Sequence, residues 1–110
     1  PGQIKYTQFL NKEGKIIDDL MIHRSFEDNQ IWLVVNADCT EKDLDHLYSN
    51  LNRSYKIELI DDRALIAIQG PKSSNILKEF FNEIDNMPFM TGDWFTYDNE
   101  QFFVSRWLYR

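Results

Sequence analysis

Two consecutive aspartates, Asp18 and Asp19, interrupt an otherwise apolar run, Lys15-Ile16-Ile17-Asp18-Asp19-Leu20-Met21-Ile22-His23. Asp is among the poorest strand formers, whereas the residues around it favour strands. Successive strand side chains point to opposite faces. One carboxylate therefore shares a face with Ile16, Leu20 and Ile22, the other with Ile17, Met21 and His23. A carboxylate among apolar neighbours must be paired, hydrogen-bonded or protonated. Chains accept that cost mainly where the carboxylate is used. The alternative is a β-bulge or a frayed strand end that leaves both carboxylates in water.

The elements that must position this pair follow from the pattern around it. Asn11-Lys12-Glu13-Gly14 is a turn, with Gly14 free to take a positive φ, so Tyr6 to His23 reads as a hairpin. Residues 24–30 are polar and acidic, another turn. Ile31-Trp32-Leu33-Val34-Val35 predicts a buried central strand ending at Asn36-Ala37-Asp38. Thr40 is placed as an N-cap with Asp43 three residues on, and Leu44, Leu47, Tyr48 and Leu51 as the buried stripe of a helix. Residues 55–60 and 64–68 read as two more strands. Gln69-Gly70-Pro71 breaks the second of them into a helix burying Ile76, Leu77, Phe80, Phe81 and Ile84. A last hairpin, residues 93–97 and 101–107, turns at Asp98-Asn99-Glu100. Strands from distant parts of the chain with two helices between them predict an α+β fold, an antiparallel sheet with two packed helices in ferredoxin-like style. All 110 residues are expected to form one domain, an internal piece of a longer protein.

Composition narrows the function. Twelve basic and eighteen acidic residues leave a net charge of −6, which argues against nucleic acid or an anionic membrane surface as partner. A carboxylate-lined pocket for a nitrogen-rich ligand stays compatible. The 43% hydrophobic and 15% aromatic content supports a packed chain rather than a disordered one. One cysteine, Cys39, excludes an internal disulfide and a Cys-rich zinc site. His23 and His46 fall on different elements, so no metal is expected; His46 is read as solvent-facing. No phosphate-cradling loop, dinucleotide fingerprint or nucleophile elbow is present.

In order along the chain, Tyr6-Thr7, Leu10-Asn11, Gly14, Ile16-Ile17-Asp18-Asp19-Leu20, Leu33-Val34-Val35-Asn36-Ala37, Lys42-Asp43-Leu44 and Ala64-Leu65-Ile66-Ala67-Ile68-Gln69-Gly70-Pro71-Lys72 resemble the aminomethyltransferase, or T-protein, family of the glycine cleavage system. Met87-Pro88-Phe89-Met90 fits the same family. The resemblance covers essentially the whole chain. It implies the ferredoxin-like part of a folate-binding fold, with tetrahydrofolate as cofactor and a lipoylated carrier protein as partner. The implied reaction moves an aminomethyl carbon from the lipoyl arm to tetrahydrofolate and releases ammonia. Asp19 matches the family's catalytic carboxylate, which orients the folate amine, holds a proton in transit and stabilises cationic carbon. Asp18 would be structural. Tyr6, Asn36 and Tyr109 match cofactor-binding positions; Tyr6 could equally be a hairpin core aromatic, and Asn36 an Asx-turn.

The chain departs from the family in two places. Gly14-Lys15 stands where the family usually has Gly-Gly. Ser105-Arg106-Trp107-Leu108-Tyr109-Arg110 stands where it has Ser-Arg-Thr-Gly-Tyr-Thr-Gly-Glu, keeping the tyrosine among bulkier neighbours. Sister readings of the same resemblance are the folate domain of a sarcosine or dimethylglycine dehydrogenase, a tetrahydrofolate-dependent demethylase, and a non-catalytic folate-binding repair factor. The expected location is the bacterial cytoplasm, or the mitochondrion if the source is eukaryotic.

Overall fold

Ile4–Leu10 forms β1 and Ile16–Arg24 forms β2 in the computed structural model, which describes residues 1–26 and 29–107. Their turn closes on one asparagine. The Asn11 carbonyl accepts the Gly14 N–H at 3.0 Å, and its side-chain Oδ1 accepts the N–H groups of Glu13 and Lys15 at 3.0 and 2.9 Å. Gly14 takes φ +76°, as the turn requires. β3, Ile31–Val34, pairs antiparallel with the other side of β2. The sheet order is β1-β2-β3, so β2, which carries the aspartates, is the central strand. β3 was expected to be central and buried; it lies at the edge, and its Ile31 and Val34 are exposed. Of the turn expected over residues 24–30, Glu27 and Asp28 lie outside the described residues.

The pairing of β1 with β2 slips once. Phe9 stands opposite Asp18, but Leu10 stands opposite Ile16, which leaves Ile17 as an extra residue. A bulge of this kind bends the strand and increases its local twist. It falls immediately before the aspartate pair.

A short 3-10 turn, Ala37–Cys39, leads from β3 into α1, Thr40–Asn50. The expected cap at Thr40 does not form. The residue preceding the helix is Cys39, which makes no side-chain cap, and Thr40 Oγ1 donates back to the Ala37 carbonyl at 3.0 Å. The buried side of α1 is also rotated from the expected stripe. Asp43 is buried and Leu44, His46 and Leu47 are half-buried, while Tyr48 and Leu51 are exposed. His46, expected in solvent, packs its ring 4.9 Å from that of Phe9.

The chain divides into two compact units, Pro1 with Gln3–Ile60, and Gly2 with Asp61–Arg110. The strands expected over residues 55–60 and 64–68 are not formed, and Tyr55, Leu59, Ile60, Leu65, Ile66 and Ile68 are exposed. A strand exists only through its ladder, and among the described residues these segments pair with none. In the second unit α2 is Ser73–Lys78, shorter than expected, and Ile76 and Phe80 remain exposed. The chain then passes through a 3-10 turn, Ile84–Asn86, into β4, Thr91–Tyr97, and β5, Glu100–Arg106. Asp98 and Asn99 both take positive φ, 50° and 64°, the geometry of a tight two-residue hairpin turn. The core of this unit is Phe81, Ile84 and Met87, against which Leu77, Phe95 and Val104 pack. The fold is α+β, with antiparallel sheets and two helices.

On the other face of the β4–β5 hairpin, Gly92 leaves room for an aromatic ring. A Cβ at that position would stand 2.4 Å from Phe103 Cζ. Gly92→Ala therefore forces the Phe103 ring away from its edge-on contact with Trp94, whose ring centroid lies 5.4 Å off. The expected loss is about 1–3 kcal/mol, the usual cost of overpacking, read as a lower urea midpoint with an unchanged m-value.

Candidate functional site

The three-stranded sheet brings Tyr6, Asp18, Asp19 and Asn36 together. In register, Gln8 lies opposite Asp19 and Tyr6 opposite Met21. Tyr6 is thus the diagonal neighbour of Asp19, within reach of a long side chain on the same face. The Tyr6 hydroxyl donates a hydrogen bond to Asp19 Oδ2. Asn36 enters from the other side. Val34 pairs with Met21, so two residues further on the chain passes alongside Asp19. There the Asn36 side-chain Nδ2 donates to Asp18 Oδ1 at 2.9 Å, to Asp19 Oδ1 at 2.9 Å and to the Asp19 carbonyl at 3.1 Å.

One amide therefore gathers both carboxylates, which strand alternation alone would have sent to opposite faces. The extra twist at the Ile17 bulge accompanies this convergence. The bulge that the sequence offered as an alternative is present, and both carboxylates are hydrogen-bonded rather than left in water. The Tyr6 hydroxyl, and then the Asn36 amide, hold the Asp19 carboxyl below its ordinary value of 3.8, against desolvation and the charge of Asp18. Asn36 likewise holds Asp18 down. The result is two ionised carboxylates with fixed orientation at neutral pH.

Tyr6 is 59% exposed, so its ring is not a hairpin core residue. It borders an open cleft of about 440 Å³, lined also by Thr7, Gln8 and Leu10. The acceptor set suits a ligand rich in N–H groups: carboxylate oxygens that accept, with an exposed aromatic face beside them. Tyr109 lies outside the described residues. Sequence reasoning placed Asp43 in a cap, but it stands behind Asp18 with 1% of its surface exposed. The signal was available: Asp43 precedes Leu47 by four residues, a carboxyl set in an apolar helical stripe.

The chain spans less than a third of the curated relatives it matches. An aminomethyltransferase of Pseudothermotoga lettingae is 39% identical over 108 residues, covering 96% of this chain and 29% of that protein. A mitochondrial aminomethyltransferase of Dictyostelium discoideum is 38% identical over 100 residues, 82% of this chain and 24% of the relative. One from Chlorobaculum tepidum is 42% identical over 83 residues, 73% and 22% respectively. No solved structure matches the chain. Among the described residues no helix is long and apolar enough to cross a membrane. The GCVT N-terminal domain model matches residues 1–110, end to end, and so takes in the strand, the turn and the amide that build the carboxylate pair. The chain belongs to the GCVT N-terminal domain family.

Proposed function

We propose that this chain is part of a tetrahydrofolate-dependent aminomethyltransferase of the glycine cleavage system, one domain of a longer protein. The observation that carries the reading is the Tyr6–Asp19–Asn36 constellation: an ionised carboxylate clamped from both sides beside an exposed tyrosine and an open cleft. The family model, matching in a single stretch, and the aminomethyltransferase names of the relatives support it. The acceptor is a reduced folate, and the donor is an aminomethyl group on a lipoylated carrier protein, with ammonia released. The relatives include bacterial and mitochondrial proteins, and the compartment of this one follows from its source.

Each residue has a role that its surroundings favour. Tyr6 offers a ring for the folate to lie against, while its hydroxyl fixes one Asp19 oxygen. Asn36 fixes the other and sets the carboxylate plane. Because both donors favour the ionised form, Asp19 acts chiefly as a standing negative charge. It orients an N–H of the acceptor and lowers the energy of positive charge that grows as the amine leaves. Holding a proton is secondary, since a carboxyl kept below 3.8 is a weak base near neutrality. Bound reduced folate supplies the nucleophilic nitrogens.

Calorimetric titration of a reduced folate into the full-length protein tests this reading. Binding is expected, weakened roughly 10-fold or more in Asn36→Ala, because loss of the amide leaves two neighbouring carboxylates without their shared donor. Absence of folate binding by the unaltered protein would make the family membership a matter of ancestry and fold alone. Binding without aminomethyl transfer would favour a folate-binding factor.

A further inference from the structure

Asp43 is the most deeply buried polar residue described, 1% exposed, on the first turn of α1. Neither of its carboxyl oxygens has a hydrogen-bond partner among the described residues, and Asp18 Oδ2 is also without one. Asp43, on α1, and Asp18, on β2, lie within side-chain hydrogen-bonding reach of one another. The remaining polar groups nearby are committed. The Lys42 ammonium donates to the Ile17 carbonyl at 2.8 Å, and Asn36 Nδ2 is spent on Asp18 Oδ1, Asp19 Oδ1 and the Asp19 carbonyl. Three buried oxygens without donors, on two carboxyls, would repel if both were ionised.

A single proton resolves all of it. A protonated carboxyl is a donor, and shared between two facing carboxyls it turns mutual repulsion into one charge-assisted O–H···O bond. Asp43 is the member that keeps it. Burial raises its carboxyl above the ordinary value, the Asp18 carboxylate raises it further, and Lys42 and His46 oppose this. Asp18 is held down by Asn36, with desolvation opposing and Asp43 assisting. A cation could neutralise the same charges, but among the described residues no three His, Cys, Asp or Glu side chains converge to hold one.

We infer that Asp43 is a positioning residue: it holds a proton, donates it in a hydrogen bond to Oδ2 of Asp18, and through the Asn36 amide that Asp18 and Asp19 share it fixes the orientation of Asp19. This deepens the proposed function and, in its catalytic consequence, rests on that reading. The protonated pair itself does not. Asp19 touches the reacting groups; Asp43 reaches them only through Asp18 and Asn36.

The experiment is a carbon-13 titration of the aspartate carboxyls in the full-length protein, with the Asp43 signal assigned by its loss in Asp43→Asn. Asp43 is expected to remain in its acid form at a pH where the exposed aspartates have ionised. In Asp43→Asn the side-chain amide replaces the donor, so Asp18 still titrates low; in Asp43→Ala the donor is gone and Asp18 titrates higher. Turnover is expected to drop roughly 10- to 100-fold in Asp43→Ala, through kcat rather than KM, and to recover to within about threefold of the unaltered protein in Asp43→Asn. A purely structural role would not divide the two variants in this way. Titration of Asp43 together with the exposed aspartates in the unaltered protein overturns the inference even where Asp43→Ala fails to fold, and so does equal loss of turnover in both variants. A high-titrating Asp43 in a protein without folate-dependent turnover leaves the proton pair standing and overturns the functional reading instead.

Discussion

Asp19→Asn in the full-length protein is expected to lower kcat for aminomethyl transfer about 10²- to 10⁴-fold while leaving affinity for reduced folate within a few-fold. The substitution keeps shape and removes charge. Tyr6 and Asn36 can still hold the side chain near its present position, so binding surfaces are little altered. What is lost is the fixed negative charge against which positive charge develops, an interaction stronger in the transition state than in the bound substrate. Steady-state kinetics with the lipoylated donor, beside folate calorimetry, separates the two quantities. A matched loss of kcat/KM and folate affinity with kcat intact would assign Asp19 to binding alone. The pH profile gives a second readout. Asp19 has a folded-state value below 3.8, so its ionised form persists as pH falls past that point. The stabilisation its contacts give the fold is present above 3.8 and lost as pH falls through the lower folded value. Tyr6→Phe removes the larger of the two donors and is expected to move any acid limb set by Asp19 upward.

The largest expected effect on stability is that of Phe81→Ala in the second unit. Phe81 is one of three buried residues in that core, and its ring lies 5.3 Å from Phe95, 5.8 Å from Phe102 and 6.4 Å from Tyr97. Removing it leaves a cavity at the meeting point of the residues that join α2 and its following turn to the β4–β5 hairpin. Truncations of this kind cost about 3–5 kcal/mol, a large fraction of the 5–15 kcal/mol that typically separates folded from unfolded states. Hydrogen exchange resolves it by residue: amides of Thr91–Tyr97 and Glu100–Arg106 should lose protection strongly in the variant. Protection there that stays within about tenfold of the unaltered chain would mean that the hairpin does not depend on this ring.

The sequence announced the first and last hairpins clearly, because each carries its own turn chemistry: Asn11 with Gly14, and Asp98 with Asn99. It also announced the central contradiction of the site, two carboxylates in an apolar strand. The family resemblance supplied Tyr6 and Asn36, and the structure joins both to Asp19. Residues 64–68 misled for a physical reason. An apolar run written in β-branched and aliphatic residues states that it suits a ladder, not that a partner is at hand, and here Leu65 and Ile66 stand exposed. Asp43 was missed because the same residue type serves helix caps and buried proton pairs. Its place four residues before Leu47 was the signal that separates them, and in the structure α1 buries Asp43 while His46 packs on Phe9.

The Asn36 amide also gives the site a chemical lifetime. Its nitrogen is the donor in three hydrogen bonds to the aspartate pair. Hydrolytic deamidation, the common ageing reaction of asparagine, would put an acid there, so that at neutral pH a third negative group would face Asp18 and Asp19 in place of the donor. No chain cleavage or unfolding would be needed to undo the arrangement of the two carboxylates. Slow damage at one side chain would suffice.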